Sequence, residues 1–133
     1  MPITVSWIDP DKTIILLRFT GRWNWSECHK VFANELTNIM LEVSHEVYII
    51  ADFLPAANPP VNGVTHARKL FPTLPPIWRH VLVVSDDKFT HVLVEVFRTM
   101  NIQGMGQKMS NAKTLDQALN MIHTMNTDTI SES

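Results

Sequence analysis

Apolar residues recur along the chain with two different periods. Residues 4–8 and 13–20 are rich in β-branched and aromatic side chains and flank Asp9-Pro10-Asp11-Lys12, whose proline and aspartates favour a turn, so they predict an antiparallel hairpin. Gly21 closes the second strand. Asn24-Trp25-Ser26-Glu27 then has the form of a capping box, in which the Asn24 side chain accepts from the amide of Glu27 and starts a helix. Cys28, Val31, Phe32, Leu36, Ile39, Met40 and Val43 follow at spacings of three and four, an apolar stripe that must face a sheet. Residues 47–51 form a run too short for a buried helix and too apolar for a sheet face open to water, and predict a central strand ending at Asp52.

The second half repeats the alternation. Pro55, Pro59 and Pro60 keep residues 54–60 irregular, and a modest helix over 61–70 is ended by Pro72. Residues 80–85 carry the buried-strand signature again, and Asp86-Asp87 supplies a cap for the next helix. On that helix Phe89, Val92, Leu93, Val96, Phe97 and Met100 make an i, i+3, i+4 series. Gly104-Met105-Gly106 breaks the chain, residues 108–112 suit a short edge strand, and Thr114-Leu115-Asp116-Gln117 is a second capping box, before a helix lined by Ala118, Leu119, Ile122 and Met125. The order β-β-α-β-α-β-α-β-α implies a single α/β domain over residues 1–125, with a mostly parallel sheet and one antiparallel hairpin, and a polar, frayed tail at 126–133.

Composition narrows the partners more than the chemistry. The 133 residues carry 11 Lys and Arg against 13 Asp and Glu, with no basic block, so neither nucleic acid nor an anionic membrane is expected as a partner. No apolar run approaches the ~20 residues that span a bilayer, and the N-terminus lacks the plan of a signal peptide; with a single cysteine this reads as a cytoplasmic protein. The motifs of serine hydrolases, phosphate loops and dinucleotide sites are missing. Six histidines without an HExxH or HxH pattern predict no metal site, and no cofactor is expected. Cys28 and His29, as neighbours on a helix, point about 100° apart and cannot pair with each other.

The element order resembles the STAS superfamily, the sulfate-transporter and anti-sigma-factor-antagonist domains, and in particular its stand-alone bacterial branch. The resemblance rests on the opening hairpin, Gly21, the long first helix, the strand ending at Asp52 and the strand and helix of 108–125. It implies a non-enzymatic regulatory domain that binds a protein partner. In the regulatory branch a kinase phosphorylates a serine directly after the acidic end of the third strand; Asp52 matches the acidic residue, but Phe53 follows it, so that switch does not carry over.

Ligands of open α/β sheets bind beyond the carboxyl ends of the strands, which selects Asp52, Phe53, Leu54, Asn62 and Asp86, with Thr65, His66 and Arg68 on the second helix facing the same end. Capping of a helix by Asp86 or Asp87 and a loop hydrogen bond from Asp52 compete with a catalytic use of Asp52 and Asp86. Phe97, Met100 and Met105 are expected to form an apolar surface for a homodimer. The alternative is a carrier of a small apolar or lipid-like ligand, in a pocket between sheet and helices lined by Phe53, Leu54, Val64 and Phe97.

Overall fold

The computed structural model describes residues 2–132, leaving aside the side chains of 102, 103 and 127–132. Its sheet has five strands: β1 (Ile3–Trp7), β2 (Ile14–Phe19), β3 (Val47–Asp52), β4 (Trp78–Val84) and β5 (Met109–Ala112). They lie side by side in chain order, β1 antiparallel to β2 and every later neighbour parallel. The hairpin turn closes on Asp9, whose carboxylate accepts from the Thr13 and Ile14 amides and from the Thr13 hydroxyl. The structure is thus the expected single α/β domain with a mostly parallel sheet.

Three crossovers link the parallel strands. The first is one continuous helix made of α1 (Trp25–Val31), a π-helical segment (Phe32–Leu36) and α2 (Thr37–Met40). The Thr37 hydroxyl donates to the Phe32 carbonyl at 2.6 Å within the wider turn. The expected N-cap forms: Asn24 Oδ1 accepts from the Glu27 amide at 2.9 Å, while the Glu27 carboxylate accepts from the Asn24 side-chain amide, Nδ2 to Oε1, at 2.7 Å. The second crossover holds α3 (Gly63–Leu70) and a 3-10 turn (Phe71–Thr73); the third holds α4 (Lys88–Met100) and a 3-10 stretch (Ile102–Lys108). The helix expected over 61–70 begins at Gly63, because Asn62 takes a left-handed φ of 63°. Gly106 lets the chain double back under α4, since a Cβ there would lie 2.6 Å from the Arg98 carbonyl oxygen.

All of these helices pack on one face of the sheet. Right-handed crossovers between strands added in one direction must all fall on the same side, and the larger core joins Ile15, Leu17, Ile49, Val81 and Val83 of the sheet to Phe32, Leu36, Leu70, Val94 and Phe97. The other face, carrying Tyr48, Ile50, Leu82 and Val84, is covered by α5 (Leu115–Glu132) through Ala118 and Ile122. Thr114 Oγ1 caps α5 by accepting from the Gln117 amide at 3.0 Å, and the Tyr48 hydroxyl donates to Asn126 Oδ1 at 2.8 Å. The backbone of 126–132, expected as a frayed tail, continues α5, while the side chains beyond Asn126 lie outside the described residues. No helix among the described residues is long and apolar enough to cross a membrane.

One expectation is corrected here. The apolar series on α4 straddles two faces of the helix. Phe97, 2% exposed, points into the core with Val94 and Thr90, and Met105, within the 3-10 stretch, is buried too. Met100 alone of the expected surface trio faces outward, at 52% exposure, in a row with Phe89, Val92 and Val96. Steps of three and four hold for both rows, so periodicity alone does not say which is inward.

Ile50 and Phe97 sit at the centres of the two cores. Ile50→Asp and Phe97→Glu each bury an unpaired charge, costing several of the roughly 5 to 15 kcal/mol that hold a domain together. Circular dichroism on heating should show no cooperative transition for either variant; a soluble Phe97→Glu protein that melts cooperatively would put this residue back on the surface.

Candidate functional site

The carboxyl ends of β3 and β4 converge on a loop that is fixed along its length. Asp52, 3% exposed, closes β3: its Oδ2 accepts from Arg18 Nε at 3.1 Å, across the parallel register that pairs these residues, and its Oδ1 accepts from the Leu54 amide at 3.0 Å. The carboxylate is committed to starting the loop. Beyond it, the Gly21 amide donates to the Pro55 carbonyl at 2.9 Å and the Ala57 amide to the Gly21 carbonyl at 2.7 Å, a short parallel bridge. Asn58 and Trp23 then lock together. Asn58 Oδ1 accepts from the Trp23 amide at 3.0 Å, Asn58 Nδ2 donates to the Trp23 carbonyl at 3.0 Å, and the Trp23 indole donates to the Asn58 carbonyl at 3.1 Å. The Trp25 indole adds a bond to the Val61 carbonyl at 2.7 Å. None of these partners is close in sequence, so the clamp left no signal in spacing or pattern.

Between this loop and the start of α4 lies a polar cleft of about 250 Å³, lined among others by Leu54, Asn58, Ser85, Asp86 and Asp87. Asp87 caps α4, accepting from the Thr90 amide at 3.2 Å and the Thr90 hydroxyl at 2.9 Å. Ser85 Oγ accepts from the Asp87 amide at 3.0 Å, and the His91 ring bonds the Ser85 carbonyl at 2.6 Å. Asp86 stands exposed at the rim, while Asp52 is buried behind the loop and is not part of the lining. The two carboxylates therefore have different surroundings, Asp52 bonded to Arg18 and the loop and Asp86 at the exposed rim.

A second space, about 90 Å³ in volume and partly open to solvent, lies between the sheet and α3 at the side of the main core. Leu17, Phe19, Ala51, Val81 and Val83 make its floor, Cys28 and Phe32 one wall, Leu93, Val94 and Phe97 the other, and Val64 and Ala67 its roof. Phe53 turns inward to line it, its ring stacked on Phe19 with centroids 4.1 Å apart. Of the residues expected in an apolar pocket, Phe53, Val64 and Phe97 line this cavity, whereas Leu54 is 40% exposed and faces the polar cleft. Burial pushes the Cys28 thiol up to about 12, so it contributes to the cavity as a neutral apolar group.

The outward side of the cavity carries an aromatic and imidazole cluster. Trp25 lies flat on His66, centroids 4.2 Å apart and planes 8° from parallel, and His66 Nδ1 meets His29 Nε2 at 3.0 Å. Burial, then His29 and Lys69, hold the His66 ring below its ordinary pKa. Of the other residues expected on α3, Thr65 and Arg68 are exposed, and Asn62 precedes the helix without a side-chain capping bond. Among the described residues no group of three or more His, Cys, Asp or Glu side chains is placed to hold a metal ion.

No protein-family model matches the chain, and no curated protein matches its sequence. Among solved structures, that of the anti-sigma factor antagonist SpoIIAA in its unphosphorylated form matches 92% of this chain and 96% of its own, with a TM-score of 0.54 at 12% sequence identity. At that identity the likeness is one of fold, and together with the strand order and the hairpin it establishes that the chain has the STAS fold.

Proposed function

We propose that this chain is a cytoplasmic, non-enzymatic regulatory module that acts by binding protein partners, the first of them a second copy of itself. The row on the outer face of α4 carries this reading. Phe89, Val92, Val96 and Met100 are each between 42% and 52% exposed, and Lys88, His91, Glu95 and Thr99 border the groove that Val92, Val96 and Met100 form. A contiguous apolar strip with a polar rim is the usual mark of a contact surface. A two-fold axis across α4 sets the strip against itself, the commonest symmetry of soluble oligomers. The fold shared with an anti-sigma factor antagonist supports the same reading. The adjoining cleft at Leu54 and Asp86, and the exposed Thr65 and Arg68, offer polar contacts for a further partner.

Light scattering after size exclusion should give twice the 15.2 kDa of one chain, and the double variant Val92→Glu, Val96→Glu should return 15.2 kDa with an unchanged melting transition. A wild-type mass of one chain at hundreds of micromolar would rule out self-pairing.

Where the regulatory branch carries serine, Phe53 is stacked inside, and residues 53–62 contain no hydroxyl side chain. Phosphopeptide mapping of protein from its native cells should find no phosphate in this loop. Phosphate on Thr65 would restore a phosphorylation switch at a new position, since a dianion in the first turn of α3 is electrostatically favoured.

The apolar cavity supports a second reading, carriage of a small neutral apolar or lipid-like ligand. Native mass spectrometry of the purified protein should then show an added small-molecule mass that organic extraction removes; a bare chain mass in every preparation counts against it.

A further inference from the structure

The cavity as it stands is too small for most ligands. An engineered cavity of about 150 Å³ takes benzene, whereas this one is about 90 Å³. Anything larger than a few heavy atoms needs a wall to move. The floor is hydrogen-bonded sheet, and α4 runs for 13 residues with Thr90, Val94 and Phe97 buried. By contrast α3 has eight residues, of which Leu70 alone is buried, and it springs from Pro59, Pro60 and the left-handed Asn62. Its hold on α4 is apolar contact at its first turn, where Gly63 lies against Leu93. Its hold on α1 is polar and aromatic: the Trp25–His66 stack and the bond between His66 Nδ1 and His29 Nε2.

We propose, resting on the carrier reading, that α3 is a lid over the apolar cavity, latched to α1 by His29 and His66, and that protonation of this pair releases it to admit a neutral ligand of alkyl or aryl character.

A bond between two ring nitrogens needs one N–H and one lone pair. It survives a single added proton, because an imidazolium still donates to a neutral ring. With both rings charged, two N–H groups face each other and two positive charges meet at 3.0 Å, so the bond becomes a repulsion. The Trp25 face tolerates one cationic ring, which places the break at the histidine pair. The ionisable groups acting on His66 are His29 from α1 and Lys69 from α3 itself, and both oppose its charge. Toward the cavity α4 presents Thr90, Leu93, Val94 and Phe97, and the strands present only apolar residues. The pair takes its second proton less readily with the lid closed than open, because burial, the neighbouring ring and Lys69 oppose charge at His66, so closure holds fully above the ordinary imidazole value near 6.5 and weakens as pH falls below it.

The lid and the cavity are tested separately. Amide hydrogen exchange of the full chain, corrected for intrinsic pH dependence, reads the lid without any ligand: protection in α3 relative to α4 should fall about tenfold between about pH 8 and about pH 5. N-phenyl-1-naphthylamine, a neutral fluorescent probe too large for the closed cavity, should bind about tenfold more tightly over the same range. His66→Phe, which keeps a ring against Trp25 but removes the proton, should make both measurements independent of pH. Ala67→Trp, or Val64→Phe if the former does not fold, fills the cavity and should abolish probe binding at every pH. Unchanged α3 protection and probe affinity across the range would overturn the latch while leaving a probe-binding cavity in place. Absence of probe binding at any pH, or binding that survives the filled cavity, would overturn the carrier reading and the lid with it.

Discussion

The fold is governed by crowding on one side of the sheet. Because β2 to β5 are added in order and parallel crossovers share one hand as a rule, three helical connections share a single face. Those four strands span about 14 Å between their outer axes at ~4.8 Å per strand, whereas three helices about 10 Å wide need about 20 Å. The middle connection gives way. It is reduced to the eight residues of α3, set between proline-rich segments and half-buried above its neighbours. The space it leaves beneath it is the apolar cavity. The opposite face has the reverse problem, with α5 spread over β3, β4 and β5.

Aromatic residues close the end of that space. Phe19, Trp23, Trp25 and Phe53 form a connected cluster where the sheet ends and the loop begins, with Trp23 edge-on to both Phe19 and Trp25. Polar bonds ring the cluster: Arg18 to Asp52, Trp23 to Asn58, and Trp25 to Val61. This explains how a proline-rich loop, which cannot join a helix or a sheet, keeps a single course. Its backbone groups find partners in the turn before α1, in β4 and within the loop, and its one large aromatic residue, Phe53, is anchored in the core. At the position directly after Asp52 the chain has a packing contact, Phe53 stacked on Phe19.

Much of the fold was legible because its elements are locally consistent. The run at 47–52 matches β3 residue for residue, and Asn24 and Thr114 cap their helices as their side chains predict. The site was legible only in part. The rule that ligands gather at strand ends located the loop and the cleft; it also selected Asp52, which the lining of the cleft excludes and which makes the competing loop hydrogen bond instead. Neither His29 nor His66 predicts the other, since they are 37 residues apart and meet only because α1 and α3 share a face. The two apolar rows of α4 defeat periodicity for a different reason: each satisfies the helical repeat, and only tertiary contact separates Phe97 from Met100. Information of this kind resides in strand order and crossover hand.

The π-helical segment from Phe32 to Leu36 bears on how this chain is compared with others. A π turn accommodates one residue more than the α turn it replaces while the helix continues on either side. The first crossover thus holds a surplus residue in mid-helix, away from any loop. Any residue-by-residue alignment with a STAS domain whose first helix is regular must open its gap inside this helix. An alignment that confines gaps to loops will carry every position from Thr37 to the next loop one step, about 100°, around the helix from its true counterpart.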